Sequence, residues 1–173
     1  MEIKCVAAAV LFFSCVAAGA WQWMRLFQRL SDIRSLQELL QLLRIEILCR
    51  CVPLSEAVAR ASQRASGAGL RFCLCLLDCI SDCRFEEFGQ AWQRAASEAA
   101  LFQTAGAEEL SGWELLGRQL GRGDSREQEK IMEHAEFLLR RAEEQARGDF
   151  CKKGRMYVMT GLCAGVFLTV LLF

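Results

Sequence analysis

Two long uncharged stretches, one near each end of the chain, dominate its pattern of hydrophobic and polar positions. Residues 5–24 (CVAAAVLFFSCVAAGAWQWM) and residues 156–173 (MYVMTGLCAGVFLTVLLF) contain no charged side chain. Helices of these lengths would measure about 30 Å and about 27 Å, close to the thickness of the hydrocarbon core of a bilayer. The pattern therefore predicts an amino-terminal transmembrane helix within residues 1–24 and a carboxy-terminal one over residues 156–173.

The first uncharged stretch also has features of a secretory signal peptide. Lys4 precedes the apolar run, and Ala18-Gly19-Ala20 resembles the small-residue site at which such peptides are cleaved. The run nevertheless continues beyond that site through Trp21 and Trp23, and aromatic residues are typical of the membrane interface of a helix that stays in place. We interpret the stretch as a retained span, with cleavage or lipidation as the alternative.

Basic residues flank both uncharged stretches on the side toward the middle of the chain. They are Arg25, Arg29 and Arg34 after the first stretch, and Arg140, Arg141, Arg147, Lys152, Lys153 and Arg155 before the second. The positive-inside rule therefore predicts that residues 25–155 form a domain in the cytoplasm. Since Glu2 and Lys4 are the only charged residues outside it, this domain holds 20 of the 21 basic and 20 of the 21 acidic residues. That balance argues against nucleic acid as a partner.

The middle of the chain has the composition and the periodicity of helices. It contains a single proline, Pro53, and few β-branched residues, so the fold class is all-α. We predict a small cytoplasmic bundle of five to six helices, flanked by the two transmembrane helices and built around one hydrophobic core. Its first helix should continue to about Leu48, with an apolar seam at spacings of three and four residues. The seam consists of Ile33, Leu36, Leu40, Leu43 and Ile47.

Five further helices follow from the same reasoning. They are a helix with Pro53 in its first turn, one over residues 70–80 after a break at Ser66-Gly67-Ala68-Gly69, and helices over residues 85–98, 107–120 and 126–147. The last begins with a capping box, either Asp124 with Glu127 or Ser125 with Gln128. Its predicted core stripe is Ile131, Ala135, Leu138 and Ala142. Gly148 and Gly154 allow a bend between this helix and the second span.

The chain has ten cysteines, and a reducing cytosol would keep those of the central domain as thiols. Cys75, Cys79 and Cys83 are spaced four residues apart, which places three thiols on one helix face. Thiolates there could hold zinc if Cys49 and Cys51 approached from another helix. A single straight helix cannot surround a tetrahedral ion, so we prefer a thiol-rich packing stripe and expect no metal.

The sequence shows no pattern typical of an active site. His134 is the only histidine, and no serine or cysteine lies at a suggestive spacing from it. The glycine-rich stretch from Gly117 to Asp124 lacks the Gly-Lys-Ser/Thr of a phosphate-binding loop. We therefore predict a protein that is not an enzyme and that needs no cofactor.

The order of these parts and several short motifs resemble the stage III sporulation protein AB family of endospore-forming bacteria. The motifs are Ile33-Arg34-Ser35-Leu36, Leu43-Arg44-Ile45-Glu46-Ile47, Pro53-Leu54-Ser55-Glu56-Ala57 and the stretch from Leu116 to Gln128. This last stretch, which we call the signature, fits the pattern Leu-Gly-x-x-Leu-Gly-x-x-Asp-x-x-x-Gln and is the most specific of them. The resemblance covers essentially the whole chain, although the family pattern does not require the cysteines.

The resemblance implies a non-catalytic, membrane-anchored subunit of the transenvelope channel that connects the mother cell and the forespore. The family is similar to the inner-membrane platform protein of type II secretion. This similarity implies that the domain, on the mother-cell side, docks a secretion-type ATPase and contacts other membrane subunits of the channel and the lipid bilayer, and it allows a homo-oligomer. The alternative function is a membrane-tethered thiol or zinc sensor built on the cysteines, or another helical adaptor.

Within the resemblance, the signature is our candidate partner interface, because glycines let helices approach closely and charge is exposed at its end. The candidate residues are Leu116, Gly117, Arg118, Leu120, Gly121, Arg122, Asp124, Glu127 and Gln128. A purely local role remains open, in which Gly121 and Gly123 end one helix and Asp124 caps the next.

Overall fold

The computed structural model describes residues 2–82, 87–99, 107–120 and 125–172. Every regular element within these ranges is a helix and none is a strand, so the all-α prediction is confirmed. The helices are α1 (Glu2–Arg44), a π-helical turn (Ile45–Cys49), α2 (Leu54–Ser62), α3 (Gly67–Ser81), α4 (Phe88–Glu98), α5 (Ala107–Gln119) and α6 (Ser125–Leu172).

The chain divides into two compact units. Unit 1 comprises Met1–Leu30 and Gln145–Phe173, and unit 2 comprises Ser31–Glu144. The two long helices, α1 and α6, each supply residues to both units, whereas α2 to α5 belong to unit 2 alone.

In unit 1, the two chain segments meet through aromatic side chains. The ring of Phe150 lies 5.8 Å from that of Trp23 and 6.2 Å from that of Phe27, measured between centroids. Gly154 also lies against Trp23, since a β-carbon at this glycine would come within 3.1 Å of the indole. Among the side chains that the structure describes, no helix offers an apolar stretch sufficient to cross a membrane.

The core of unit 2 contains the seam predicted for α1. Ile33, Leu36, Leu40 and Leu43 are buried, and Ile47 packs against the core from the π-helical turn. Leu39, which lies outside the predicted seam, is fully buried as well, so the apolar face of α1 is wider than a strict seam. This breadth fits a helix that is packed against several neighbours rather than against one.

The helix α3 begins earlier than predicted, at Gly67 instead of Leu70, so Ala68 and Gly69 are helical and buried. The reason is a close approach to α1. The Gly69 N–H donates to Ser35 Oγ at 3.3 Å, and a β-carbon at Gly69 would lie 2.8 Å from the backbone oxygen of Ser35. The glycines that predicted a break instead allow two helices to pack closely.

The predicted core stripe of α6 is partly wrong. Ala135 and Ala142 are buried as expected, but Ile131 and Leu138 lie at the edge of the core. The positions that complete the buried face are Met132, Leu139 and Ala146. The helix begins at Ser125, one residue before the predicted start at Arg126, and it continues through Gly148 and Gly154. The side chains of the two alternative N-cap residues, Asp124 and Ser125, lie outside the described residues.

Two other predicted boundaries shift slightly. The helix predicted for residues 85–98 begins at Phe88, and the positions before Glu87 lie outside the described part of the chain. The helix predicted to carry Pro53 in its first turn begins at Leu54, with Pro53 as its N-cap residue. An N-cap residue keeps non-helical dihedral angles, and Pro53 has a ψ of 144°.

Candidate interaction site

The first half of the signature lies beside a cluster of buried aromatic rings. Phe72 of α3 makes edge-on contacts with Trp92 of α4 and Trp113 of α5, at centroid distances of 4.7 Å and 5.4 Å. The two indoles are 5.1 Å apart, and the Trp92 Nε1–H donates to the backbone oxygen of Trp113 at 3.0 Å. Because both indoles are buried, this hydrogen bond satisfies a donor that would otherwise lose its contact with water.

Gly117 is the residue of the signature that this cluster explains. A β-carbon at Gly117 would overlap atoms Cγ and Cδ1 of Trp92. On the other helix, a β-carbon at Gly89 would lie 3.2 Å from the α-carbon of Arg118. The two glycines allow α4 and α5 to cross at close range, so Gly117 serves the packing of helices within the chain.

Arg118 lies at the same crossing but points outward. With the amide of Gln93 oriented so that its oxygen faces the guanidinium, that oxygen accepts from Nη2 at 2.8 Å and from Nε at 3.1 Å. Glu114 lies 3.9 Å away on the same helix. The side chain of Arg118 is therefore exposed and yet bonded to α4, so changing it would perturb both the surface and the α4–α5 pair.

Apart from Arg118, the candidate residues of the signature are buried, lie outside the described residues, or lie in the first turn of α6. Leu116, Gly117 and Leu120 are buried in unit 2, and Gly121, Arg122 and Asp124 lie outside the described residues. Glu127 is exposed and Gln128 is half-buried in the first turn of α6. A partner that meets this region from solvent would therefore reach Arg118 and Glu127 rather than the leucines.

Beyond the signature, α6 presents an exposed aromatic residue that is not among the candidates predicted from the sequence. Phe137 is 60% exposed and lies on the side of α6 away from the buried face. Its neighbours three and four residues along the helix are Glu133, His134, Arg140 and Arg141, all exposed. Aromatic side chains are enriched at protein interfaces, so Phe137 is a candidate anchor for a partner. The signal in the sequence is that Phe137 interrupts the charged face of α6.

Ion pairs join α1 to α6 on another side of unit 2. Arg34 Nε lies 2.8 Å from Glu143 Oε1. A row of carboxylates, on Glu129, Glu133 and Glu136, faces the guanidinium of Arg44 at 3.4 Å to 3.6 Å. Because most of these side chains are partly exposed, each pair contributes at most about 1 kcal/mol, and the network serves mainly to fix the pairing of the two helices.

The π-helical turn places a buried carboxylate where α1 ends. Glu46 is 5% exposed, and its Oε1 accepts from Arg50 Nη1 at 2.8 Å. Its Oε2 lies 3.6 Å from Arg60 Nη1 of α2. The acid thus links the turn to α2, and the two arginines offset the burial of its charge. The pair of Glu46 with Arg50 has the i, i+4 spacing of a regular helix, whereas the contact with Arg60 of α2 is not visible in the local spacing.

The cysteines proposed for a metal site are spread over different environments. Cys49 and Cys51 are exposed, Cys75 is half-buried, Cys79 is buried, and Cys83 lies outside the described residues. In the part of the chain that the structure describes, no three histidine, cysteine or acidic side chains come close enough together to hold a metal ion. Burial, with a smaller contribution from Glu98, raises the pKa values of Cys75 and Cys79, which favours the thiol over the thiolate that zinc requires.

Thiol reactivity should separate the cysteines of unit 2. Burial raises the pKa of Cys73 to about 12, so at pH 8 this side chain is both covered and almost entirely protonated. We expect Cys49 and Cys51 to react with a disulfide reagent such as dithiodipyridine at least about a hundred times faster than Cys73, because the thiolate is the nucleophile. The rates can be read by mass spectrometry of peptides after timed labelling of the native chain. Equal rates at Cys73 and Cys51 would contradict the packing of α3.

Comparison with known proteins relates the whole chain to one family. A family model described as Stage III sporulation protein AB matches residues 4–173. A solved structure named Stage III sporulation protein AB (SpoIIIAB) is similar to this one with a TM-score of 0.63 and 21% sequence identity, over 71% of this chain and 96% of the other. At that identity the likeness supports the fold alone. No curated protein matches the sequence.

Proposed function

Since the chain belongs to the stage III sporulation protein AB family, we propose that it is a non-catalytic docking subunit of the sporulation channel between mother cell and forespore. The family makes it a sporulation protein. In the proposed role, unit 2 binds a secretion-type ATPase in the mother cell, while unit 1 anchors the chain in the membrane beside the other channel subunits.

The observation that carries the docking proposal is the exposed face of α6 around Phe137. A docking protein needs a rigid surface with an apolar anchor and a charged rim, since such anchors supply most of the binding energy at protein interfaces. Phe137 is an apolar side chain with charged neighbours, and it lies on α6. Ion pairs and buried side chains hold this helix in unit 2. Arg141, one turn further on, has no carboxylate partner among the described residues and is free to pair with an acidic group of the ATPase.

The membrane part of the proposal is supported by the sequence and by the surface of unit 1. The uncharged residues 5–24 and 156–173 both lie in that unit. Its exposed side chains include large apolar ones, such as Trp21 at 69% and Met159 at 64% exposure. Apolar surface of this kind is typical of contact with lipid. The location that we propose is therefore the mother-cell membrane, with unit 2 in the cytoplasm.

A substitution of Phe137 tests the docking proposal. In Phe137→Ser, we expect the full chain in lipid nanodiscs to bind the purified secretion-type ATPase of the same sporulation complex at least about thirtyfold more weakly than the wild type. The physical reason is the loss of a central apolar anchor from the interface. Biolayer interferometry with immobilised nanodiscs gives the dissociation constants, and circular dichroism verifies that the helices remain.

Leu74→Ser is the matched control for this experiment. Leu74 is also a large exposed apolar residue, at 51% exposure, but it belongs to α3. Its substitution should change the affinity by less than about threefold, as expected outside a hot spot. Absence of wild-type binding would overturn the docking function itself. Wild-type binding that Phe137→Ser leaves unchanged would instead exclude Phe137 as a contact.

A further inference from the structure

The division into two units reveals a charge asymmetry that the balanced whole conceals. Unit 1 contains seven of the chain's 21 basic residues and two of its 21 acidic residues, a net charge of +5. The basic residues are Lys4, Arg25, Arg29, Arg147, Lys152, Lys153 and Arg155, and the acidic ones are Glu2 and Asp149. Unit 2 consequently carries a net charge of −5. Unit 1, which contains the two uncharged stretches, is therefore basic, and unit 2 is acidic.

Part of this positive charge lies near the aromatic contacts of unit 1. Arg25 lies in the chain between Trp23 and Phe27, and Lys152 lies two residues beyond Phe150, whose ring contacts both of those aromatic residues. Since alternate residues on a helix point about 200° apart, Arg25 and Lys152 point away from the aromatic contact. Both side chains are exposed, as is that of Arg147 one turn before Phe150.

These three cations have no carboxylate partner in the described part of the chain. Asp149, the acidic residue of unit 1 with a described side chain, is half-buried and has an interaction of its own. Unpaired cations beside exposed aromatic and apolar side chains match the boundary of a bilayer with anionic headgroups, where amphipathic rings occupy the headgroup level. A soluble acidic protein would match the charge but not the exposed apolar residues on the same unit.

We propose that Arg25, Arg147 and Lys152 form a collar that binds anionic phospholipid headgroups. The collar gives the chain a preference for phosphatidylglycerol over phosphatidylcholine. The inference rests on the membrane anchoring of the proposed function, to which it adds the class of lipid. Its electrostatic component is long-range attraction to a negatively charged surface, and therefore weakens as the salt concentration rises.

Lipid retention by the purified full chain tests the collar. The wild type in zwitterionic detergent is mixed with equal amounts of phosphatidylglycerol and phosphatidylcholine, and native mass spectrometry counts the lipids that remain bound. We expect retention of phosphatidylglycerol to exceed that of phosphatidylcholine by at least about tenfold, and the triple variant Arg25→Gln, Arg147→Gln, Lys152→Gln to lose this preference. Soluble glycerol 3-phosphate should not displace the lipid; displacement would show a free-phosphate site and overturn the collar.

A control with the same change in net charge isolates the position of the cations. Arg64→Gln, Arg126→Gln, Lys130→Gln removes three exposed basic residues of unit 2 that also have no partner among the described residues. This variant should keep the wild-type preference for phosphatidylglycerol. If it lost as much of that preference as the collar variant, the preference would depend on net charge alone and not on the position of the cations. Extraction of the wild-type chain from vesicles by alkaline carbonate would overturn the membrane anchoring. Stable insertion with equal retention of both lipids would overturn the collar alone.

Discussion

Replacing Gly117 by alanine is expected to lower the free energy of unfolding by about 3 kcal/mol. The added β-carbon would overlap the indole of Trp92, which is fully buried and packed among other rings. Inserting a methyl group into a well-packed core costs about 1 to 3 kcal/mol, and the rigidity of a buried indole puts this case at the upper end. Denaturation of the purified chain in urea, followed by circular dichroism, gives the difference.

Gly148→Ala is the matched control for this change. Gly148 also lies within a helix, but a β-carbon there would meet no atom within 4 Å. The substitution should therefore stabilise the helix by about 0.5 to 1 kcal/mol, the difference in helix propensity between the two residues. Destabilisation at Gly117 of less than about 1 kcal/mol would show that α4 and α5 are not held at the close distance that the structure gives.

The packing of Gly117 also explains what the first half of the signature does. Gly117 and its leucine neighbours look in the sequence like part of an interface, because small residues allow either a partner or another helix to approach. The partner of Gly117 is Trp92, 25 positions earlier in the chain. Nothing in the sequence around Gly117 identifies that contact, since it depends on how α4 crosses α5. The sequence could predict that Gly117 allows another helix to approach closely, but not that Trp92 is the residue against which it packs.

The apolar periodicity predicted α1 better than α6 for a physical reason. On α1, most leucines in unit 2 lie on one face of the helix, and that face packs in the core. Any apolar seam chosen from these leucines therefore identifies the buried face. On α6, the predicted set with Ile131 and Leu138 and the observed set with Met132 and Leu139 fit a helical spacing equally well. The ion pairs of α1 with α6, and the close approach of α5 to Leu138, fix the rotation of the helix. Those long-range contacts are not visible in a local pattern.

In the candidate site too, residue type predicted some features of the side chains, whereas their contacts depended on how the helices pack. The exposed charge of Arg118 and Glu127 was predictable because charged side chains rarely lose contact with water. The burial of the Glu46 charge was not, since it depends on the packing of α2, which brings Arg60 to the carboxylate. The sequence shows that Phe137 interrupts a charged face of α6, but its exposure was not predicted, because phenylalanine is more often buried.

Replacing Trp92 by alanine should destabilise the chain even more than the change at Gly117, by about 4 to 5 kcal/mol. Trp92 is completely buried, contacts Phe72, Phe88 and Trp113, and donates a hydrogen bond to the Trp113 backbone. Truncating a buried aromatic residue to alanine costs about 3 to 5 kcal/mol through lost burial and the cavity that remains. The chain could be largely unfolded at this cost, since whole domains are stable by about 5 to 15 kcal/mol.

Trp92→Phe makes the prediction measurable even if the alanine variant does not fold. Phenylalanine keeps most of the ring contacts and removes the indole donor, so about 1 to 2 kcal/mol should be lost in urea denaturation. Phenylalanine keeps ring carbons at the Cγ and Cδ1 positions, which are the positions that a β-carbon at Gly117 would overlap. The cost of Gly117→Ala should therefore remain at about 3 kcal/mol when Trp92 is phenylalanine, and a double-mutant cycle should show the two changes to be nearly additive. A cost below about 1 kcal/mol in the Trp92→Phe background would place the overlap on the part of the indole that phenylalanine lacks.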